Sequence, residues 1–261
     1  MISLDQAGRA MEWTKIVAPP PRLATWVEHA WITHLPPDLT SEASAAGWKV
    51  VPDLSPNLLV HRTRSGTSLR LIGSRTRSKD IDVRNRIWSV GIRLLPGTLP
   101  VLAGADAREL TDASCDPDGY WGDQEALRAS LAGAPSATAA LSRLLTSLGA
   151  LPLNRAPDWR VRILAGARGR ETPHRVALLA KRHGVSRRTL QSTALRELGM
   201  TPKTALRIRR LHGALRAALS GREAQWSRIA QATGYCDGAH LSREFRALMR
   251  EEPTLWMQRR R

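Results

Sequence analysis

Apolar positions fall into two regimes along the chain. Between Leu23 and about Pro96 they come in short bursts bounded by Gly, Pro, Asp and Ser. Trp48–Val51, Asn57–His61, Ser68–Ile72 and Ile87–Ile92 have the length and the β-branched or aromatic content of strands. Several strands at that spacing predict a small barrel or sandwich. Leu99–Leu110 and Trp121–Ala132 read as short helices. In Ser136–Leu148 the residues Ala140, Leu141, Leu144, Leu145 and Leu148 recur at i, i+3 and i+4, which predicts a longer one. Residues 1–20 show no period and end in a run from Ala18 to Pro21, so they read as irregular. Leu151 to Pro157 contains two prolines in seven residues and reads as a linker. Beyond it the strand pattern stops and helical periodicity takes over. The reading is an α+β protein with a strand-rich region over 1–125. A helical linker or dimerisation segment follows over 126–156, and an all-α module over 157–261.

The last third contains one unit twice. Thr172-Pro173 has the form of a helix start, with Thr as cap and Pro at the first helical position. Val176, Leu179 and Ala180 then supply an apolar face. Gly184 permits a left-handed turn, and Val185 returns to the core. Ser186 caps a second helix from Arg187 to Leu198, which buries Leu190 and Leu195, and Gly199 ends it. Two helices joined by a short Gly-containing turn form a helix-turn-helix. Fifty residues on, Ile229-Ala230, Gly234 and Tyr235 occupy the equivalent places, and Asp237 caps a helix that buries Leu241, Phe245 and Leu248. Thr204 to Leu219, with Ala205, Ile208, Leu211, Leu215 and Leu219 on one side, reads as a single linking helix.

Charge sharpens this picture. The formal net charge is +17. Residues 157–261 carry 23 Lys+Arg against 8 Asp+Glu, a surplus of 15, whereas residues 1–156 have a surplus of 2. A module that basic repels itself unless it meets a polyanion, either nucleic acid or an anionic surface. No apolar run is long enough to cross a membrane, and residues 1–15 do not form a secretory signal. Cys115 and Cys236 are too few and too far apart for a metal site or a disulfide framework. A reducing cytoplasm is the simplest setting, and no cofactor or metal is expected.

The basic third resembles the DNA-binding domain of the AraC/XylS family of bacterial transcription regulators. The resemblance rests on Leu179-Ala180, Gly184 through Gln191, Gly199 through Pro202, Leu206 through Leu211, Ile229-Ala230, Gly234-Tyr235, Asp237 and Leu241 through Phe245. It covers about 95 residues, roughly 165–259. It departs from the family at Ser192 and Ala194, where an arginine and a large aromatic are usual, and at Glu251-Glu252-Pro253. Loss of an arginine at Ser192 is expected to remove a base or phosphate contact, so that the first unit binds less tightly or reads a different sequence than is typical. More weakly, Val51 through Asp53, Leu71 through Arg77 and Val90 through Gly97 resemble the cupin-like barrel that precedes this domain in some members. The family implies a sequence-specific regulator of the bacterial nucleoid, with double-stranded DNA as partner. It also implies a signal or small-molecule effector at the barrel, a homodimer, and RNA polymerase as a further partner if the protein activates.

Each unit's second helix is expected in a major groove, its first residues at base edges. In the first unit these are Arg187, Arg188 and Gln191; arginine forks onto guanine and glutamine onto adenine. In the second they are His240, Ser242 and Arg243. Ser186, Lys203 and Arg207 are expected at phosphates, and Arg209 to pair internally. Two other functions compete. A metal-dependent cupin-like enzyme fused to a DNA-binding domain has only His29, His34, His61 and Asp53 to build on, with no His-x-His pair. A less specific nucleic-acid binder, of RNA for instance, needs exposed aromatics, and those of the basic third fall largely at core positions. The nine tryptophans read first as core in a chain with one phenylalanine, and second as walls of an effector pocket.

Overall fold

The structure, a computed structural model, describes residues 3–5, 13–40, 48–104, 106–165, 176–220 and 225–258. The amino-terminal half contains β1 (Ser3–Asp5), β2 (Thr14–Val17), β3 (Val27–Thr33), α1 (Pro37–Thr40), β4 (Trp48–Val50), β5 (Asn57–Thr63), β6 (Gly66–Ile72), β7 (Lys79–Ile81) and β8 (Arg86–Leu94). There follow α2 (Leu99–Ala103), a short 3₁₀ turn at Ala107–Leu110, β9 (Ser114–Cys115), α3 (Asp118–Trp121), α4 (Glu125–Ala132) and α5 (Ala137–Ala150). Six strands form an antiparallel sheet in the order β2-β3-β8-β5-β6-β9, and β1-β4-β7 form a second.

Alternation along the strands gives the large sheet two different faces. Leu58 and Val60, Leu69 and Leu71, and Val90, Ile92 and Leu94 point one way and join Leu131, Ala140, Leu141, Leu144 and Leu148 of α4 and α5 in one core. The opposite side chains, His29, Trp31 and Thr33 on β3 and Asn57, Leu59 and His61 on β5, line a cavity of about 230 Å³ that also touches Val50 and Ile81 of the smaller sheet. Trp31 lies opposite Gly91 in the β3–β8 register. A Cβ at Gly91 would come within 2.5 Å of the indole, so the missing side chain is what lets the ring lie on the sheet.

Three sequence expectations are corrected here. Residues 1–20 hold β1 and β2, edge strands that exist by pairing with β4 and β3. Leu99–Leu110 is two short turns of helix separated at Gly104, which is left-handed at φ 63°. Trp121–Ala132 is likewise divided, between α3 and α4. Leu141, Leu144 and Leu148 of α5 pack inside the chain, on the sheet.

The carboxy-terminal half is helical: α6 (Trp159–Ala165), α7 (Val176–Arg182), α8 (Arg187–Leu198), α9 (Pro202–Ser220), α10 (Trp226–Thr233), α11 (Gly238–Met249) and α12 (Pro253–Gln258). The expected helix start at Thr172-Pro173 lies outside the described residues. The linking helix α9 is central to both units. Its first half packs with α6, α7 and α8 around Leu179, Leu190, Ala194 and Leu198. Its second half packs with α10, α11 and α12 around Phe245, Leu248 and Trp256.

The two halves are also joined. Leu54 enters the core of the first unit, and Val50, Val51 and Val83 enter that of the second. His212 on α9 donates from Nε2 to the Pro52 carbonyl at 2.6 Å, which fixes its tautomer. Thr111 Oγ1 donates to the Gly199 carbonyl at 3.1 Å. The Ser78 N–H donates to Leu248 at 2.7 Å.

Candidate nucleic-acid interface

The repeat seen in the sequence is a repeat of hydrogen bonds. In the first unit the Val185 N–H donates to the Ala180 carbonyl at 3.0 Å, across Gly184 at φ 63°. In the second the Tyr235 N–H donates to the Ala230 carbonyl at 3.0 Å, across Gly234 at φ 81°. Each turn thus closes the end of one helix and sends an apolar residue back to the core. Ser186 Oγ then accepts from the Thr189 N–H at 2.9 Å, and Asp237 Oδ1 accepts from the His240 N–H at 2.6 Å. Both caps satisfy donors that the helix start would leave unpaired. The helices they launch, α8 and α11, are each twelve residues long. The second turn is one residue longer, with Cys236 placed before the cap.

Six of the expected contact residues share one concave surface. Arg187, Arg188 and Gln191 on α8, Lys203 and Arg207 on α9 and His240 on α11 line a groove of about 1010 Å³ between the units. Arg187, Arg188, Gln191 and Lys203 are exposed. The other three lie outside the groove lining. Ser186 spends its hydroxyl on the cap, Ser242 is half-buried, and Arg243 is exposed one turn along α11 from His240. Ser192 returns its hydroxyl to the Thr189 carbonyl at 3.0 Å, and Ala194 is buried in the core.

Sequence reasoning did not single out Glu244. Its two oxygens accept from Arg207 Nε at 2.8 Å and Arg210 Nη2 at 2.9 Å, which ties α11 to α9. Arg210 also lies over the Tyr235 ring, 5.1 Å from its centroid, while burial pushes the Tyr235 phenol up. The clasp fixes the second helix against the first through the linking helix. It also cancels the one carboxylate among the described residues of a groove lined by five Lys and Arg side chains, so the surface stays cationic. His240 is held from two sides: its Nδ1 accepts from the Cys236 N–H at 3.3 Å, and its ring meets Tyr235 edge-on. Its Nε2 lies 3.9 Å from Glu244. Arg209 turns inward and donates to the Leu164 carbonyl at 3.2 Å.

The histidines and acids of the amino-terminal domain form a different arrangement. Asp53 takes a two-pronged bond from Arg93, one arm at 2.9 Å, and Arg93 Nε reaches Glu28 at 2.7 Å. Burial alone would raise the Asp53 and Glu28 carboxyls, but Arg93 outweighs it and holds both below the usual range. Asp53 is therefore engaged beside His61 rather than open to a metal. Among the described residues no three His, Cys, Asp or Glu side chains cluster as ligands. Burial pushes His61 down to about 3, with Arg86 beside it adding to the effect. Its Nδ1 accepts from Arg86, so the ring is neutral with its proton on Nε2. No described helix is long and apolar enough to cross a membrane.

Two family models match this chain. One is a helix-turn-helix domain over residues 179–259, and the other a domain of unknown function (DUF6597) over 15–116. No curated protein matches. Among solved structures the chain is similar to ToxT from Vibrio cholerae O395, at 10% identity over 81% of this chain and 93% of that one, with a TM-score of 0.42. It is also similar to the same protein bound to (E)-4-(8-methylnaphthalen-1-yl)but-3-enoic acid, at 12% identity over 95% and 100%, with a TM-score of 0.43. The unsaturated-fatty-acid-bound wild-type ToxT of strain SCE256 matches at 11% identity over 94% and 91%, with a TM-score of 0.39. The helix-turn-helix match falls on the module whose two capped helices flank the cationic groove.

Proposed function

We propose that one protomer reads two successive major-groove segments of a duplex, one with α8 and one with α11, under the control of a signal received by the amino-terminal domain. A single observation carries this reading: Arg187, Arg188 and Gln191 of the first helix and His240 of the second line one cationic groove. Arg188 and Gln191 are one turn apart on α8 and suit guanine and adenine edges. Arg243 continues the reading from α11. Lys203, Arg207 and the capped start of α8 at Ser186 suit phosphates, which set register and not sequence. The readers belong to non-identical units, so the site is asymmetric. Two helices one turn of duplex apart, about 34 Å, span roughly 15–20 base pairs.

Support for control by the amino-terminal domain comes from its contacts. It touches the cores of both units through Leu54 and Val50 and encloses a cavity behind those contacts. A small-molecule effector, self-association and contact with RNA polymerase belong to this reading as the channels by which occupancy becomes transcription.

The test is selection of bound sequences from a random duplex pool by the full chain. Two conserved blocks about one helical turn apart, different from each other, are the expected outcome. A single block, or equal retention of all sequences, would overturn it.

A further inference from the structure

The amino-terminal cavity is built for more than filling space. At about 230 Å³ it is roughly one and a half times the size of the ~150 Å³ cavity that accommodates benzene. Ile16, Trp31, Leu59 and Ile72 give it apolar walls. Its charge is one-sided. Arg70, Arg75, Lys79 and Arg86 line it, and the carboxylate among its lining residues, Asp53, is already taken by Arg93. Arg70 reaches Asp116 and the Ser114 carbonyl, and Arg86 donates to the Asp82 carbonyl and His61.

Arg75 differs from these. It is only 8% exposed, yet among the described residues its guanidinium makes no hydrogen bond or ion pair. Asp112, the other acid near it, is engaged by the Thr76 N–H at 2.7 Å. Burial lowers the Arg75 pKa and outweighs the attraction of Asp112 and Asp53, and it brings Arg86 down to about 10 against that of Asp82. A guanidinium that is always charged, buried and without a hydrogen-bond partner, facing a cavity, has the chemistry of an anion receptor.

We propose that this cavity binds a small organic acid, with its anionic head on the Arg75 guanidinium and an apolar or aromatic body of roughly ten non-hydrogen atoms against Trp31 and Leu59. His61, neutral and carrying its proton on Nε2, lines the same space and accepts a neighbour without adding charge. The inference gives the proposed signal a chemical class. Its regulatory meaning rests on the control role above, but binding is measured without DNA, so the two readings fail separately.

The experiment titrates the full chain with 3-phenylpropanoate and, in parallel, with its uncharged isostere 3-phenylpropanamide by calorimetry. Saturable one-to-one binding of the acid is expected, with the amide weaker by about tenfold or more, the factor of a charge-assisted hydrogen bond. Arg75→Met should abolish that preference while leaving the amide's affinity in place. Arg75→Lys, which keeps charge but loses the fork, should retain part of it. Thermal melting and DNA retention establish that each variant is folded. If Arg75→Met does not fold, the acid-to-amide ratio of the unmodified chain decides the matter. Equal binding of acid and amide, no saturable binding of the acid, or an Arg75→Met variant that keeps the full preference would each overturn the proposal.

Discussion

Ser78 donates its hydroxyl to the main-chain carbonyl of Met249 at 2.6 Å, a bond that joins residues 171 apart in the chain. Met249 is the last residue of α11, the second helix of the second unit, and Arg250 after it is left-handed at φ 58°. The amino-terminal domain thus supplies the partner that a helix end would otherwise take from water. Ser78→Ala removes this bond and leaves the main-chain bond from Ser78 to Leu248 intact. A loss of about 1 kcal/mol is expected. Amide exchange should rise around residues 246–258 and stay unchanged in α8. An equal rise in both units would show that the contact does not act locally.

Arg188 and Lys203 should separate reading from holding. Arg188→Ala should cost about 1–3 kcal/mol on the selected site and relax the preference at one position. Lys203→Ala should weaken all duplexes alike and reduce the salt slope by about 1. Binding isotherms on specific and scrambled duplexes at several salt concentrations distinguish them. An Arg188 variant that loses equally on every sequence is a phosphate contact.

Gly199 ends α8 at φ 72°, and a Cβ there would meet Thr111 Oγ1 at 1.9 Å and the Ala107 carbonyl at 2.6 Å. Gly199→Ala combines a left-handed alanine with a clash across the domain contact. It should lower stability by about 2 kcal/mol or more. Adding Thr111→Ala removes one obstacle but not the main-chain carbonyl, so only part of the stability should return. Full recovery in thermal melts would mean that the carbonyl moves freely.

Acid should weaken the fold before any carboxylate titrates. Burial holds His29 at about 4 and His61 at about 3, and lowers His212 as well. Each folded value lies below the unfolded one, near 6.5, so the unfolded chain binds more protons. Their stabilisation is complete above pH ~6.5 and is lost as pH falls from there, by at most about 1.4 kcal/mol per unit for each group. Below about pH 4 the depressed Asp53 and Glu28 add a second loss in the same direction. The melting temperature should therefore fall steadily from pH 7 to 5, with a shallower slope in His61→Gln. A flat profile over that range would count against buried neutral histidines.

The carboxy-terminal half was legible in the sequence because its signals are local. Gly184 and Gly234 mark turns, Ser186 and Asp237 mark caps, and the apolar period between them runs unbroken. The four expected strands were also found, with ends displaced by up to a few residues. What escaped was made by pairing at a distance. Thr14–Val17 has no alternation of its own and is a strand because β3 lies beside it. Lys79–Ile81 is polar and short, and is a strand through β4. On the groove, the exposed places of Arg187, Arg188 and Gln191 were readable from a helix start, whereas the Glu244 clasp needed the crossing of α9 and α11. The contacts of Ser78, Thr111 and His212 end on main-chain carbonyls, which leave no mark in a side-chain pattern. That the Arg75 guanidinium makes no hydrogen bond among the described residues is likewise a property of its surroundings.

The bare backbone at Gly91 has a further consequence. Trp31 can lie flat there only because position 91 contributes no carbon beyond its Cα. Alanine or serine at 91 would lift the indole off the strand into the space beneath it. One methyl group would then set how large a guest the domain admits, and tuning for a smaller molecule would require no change in the residues that hold its charge.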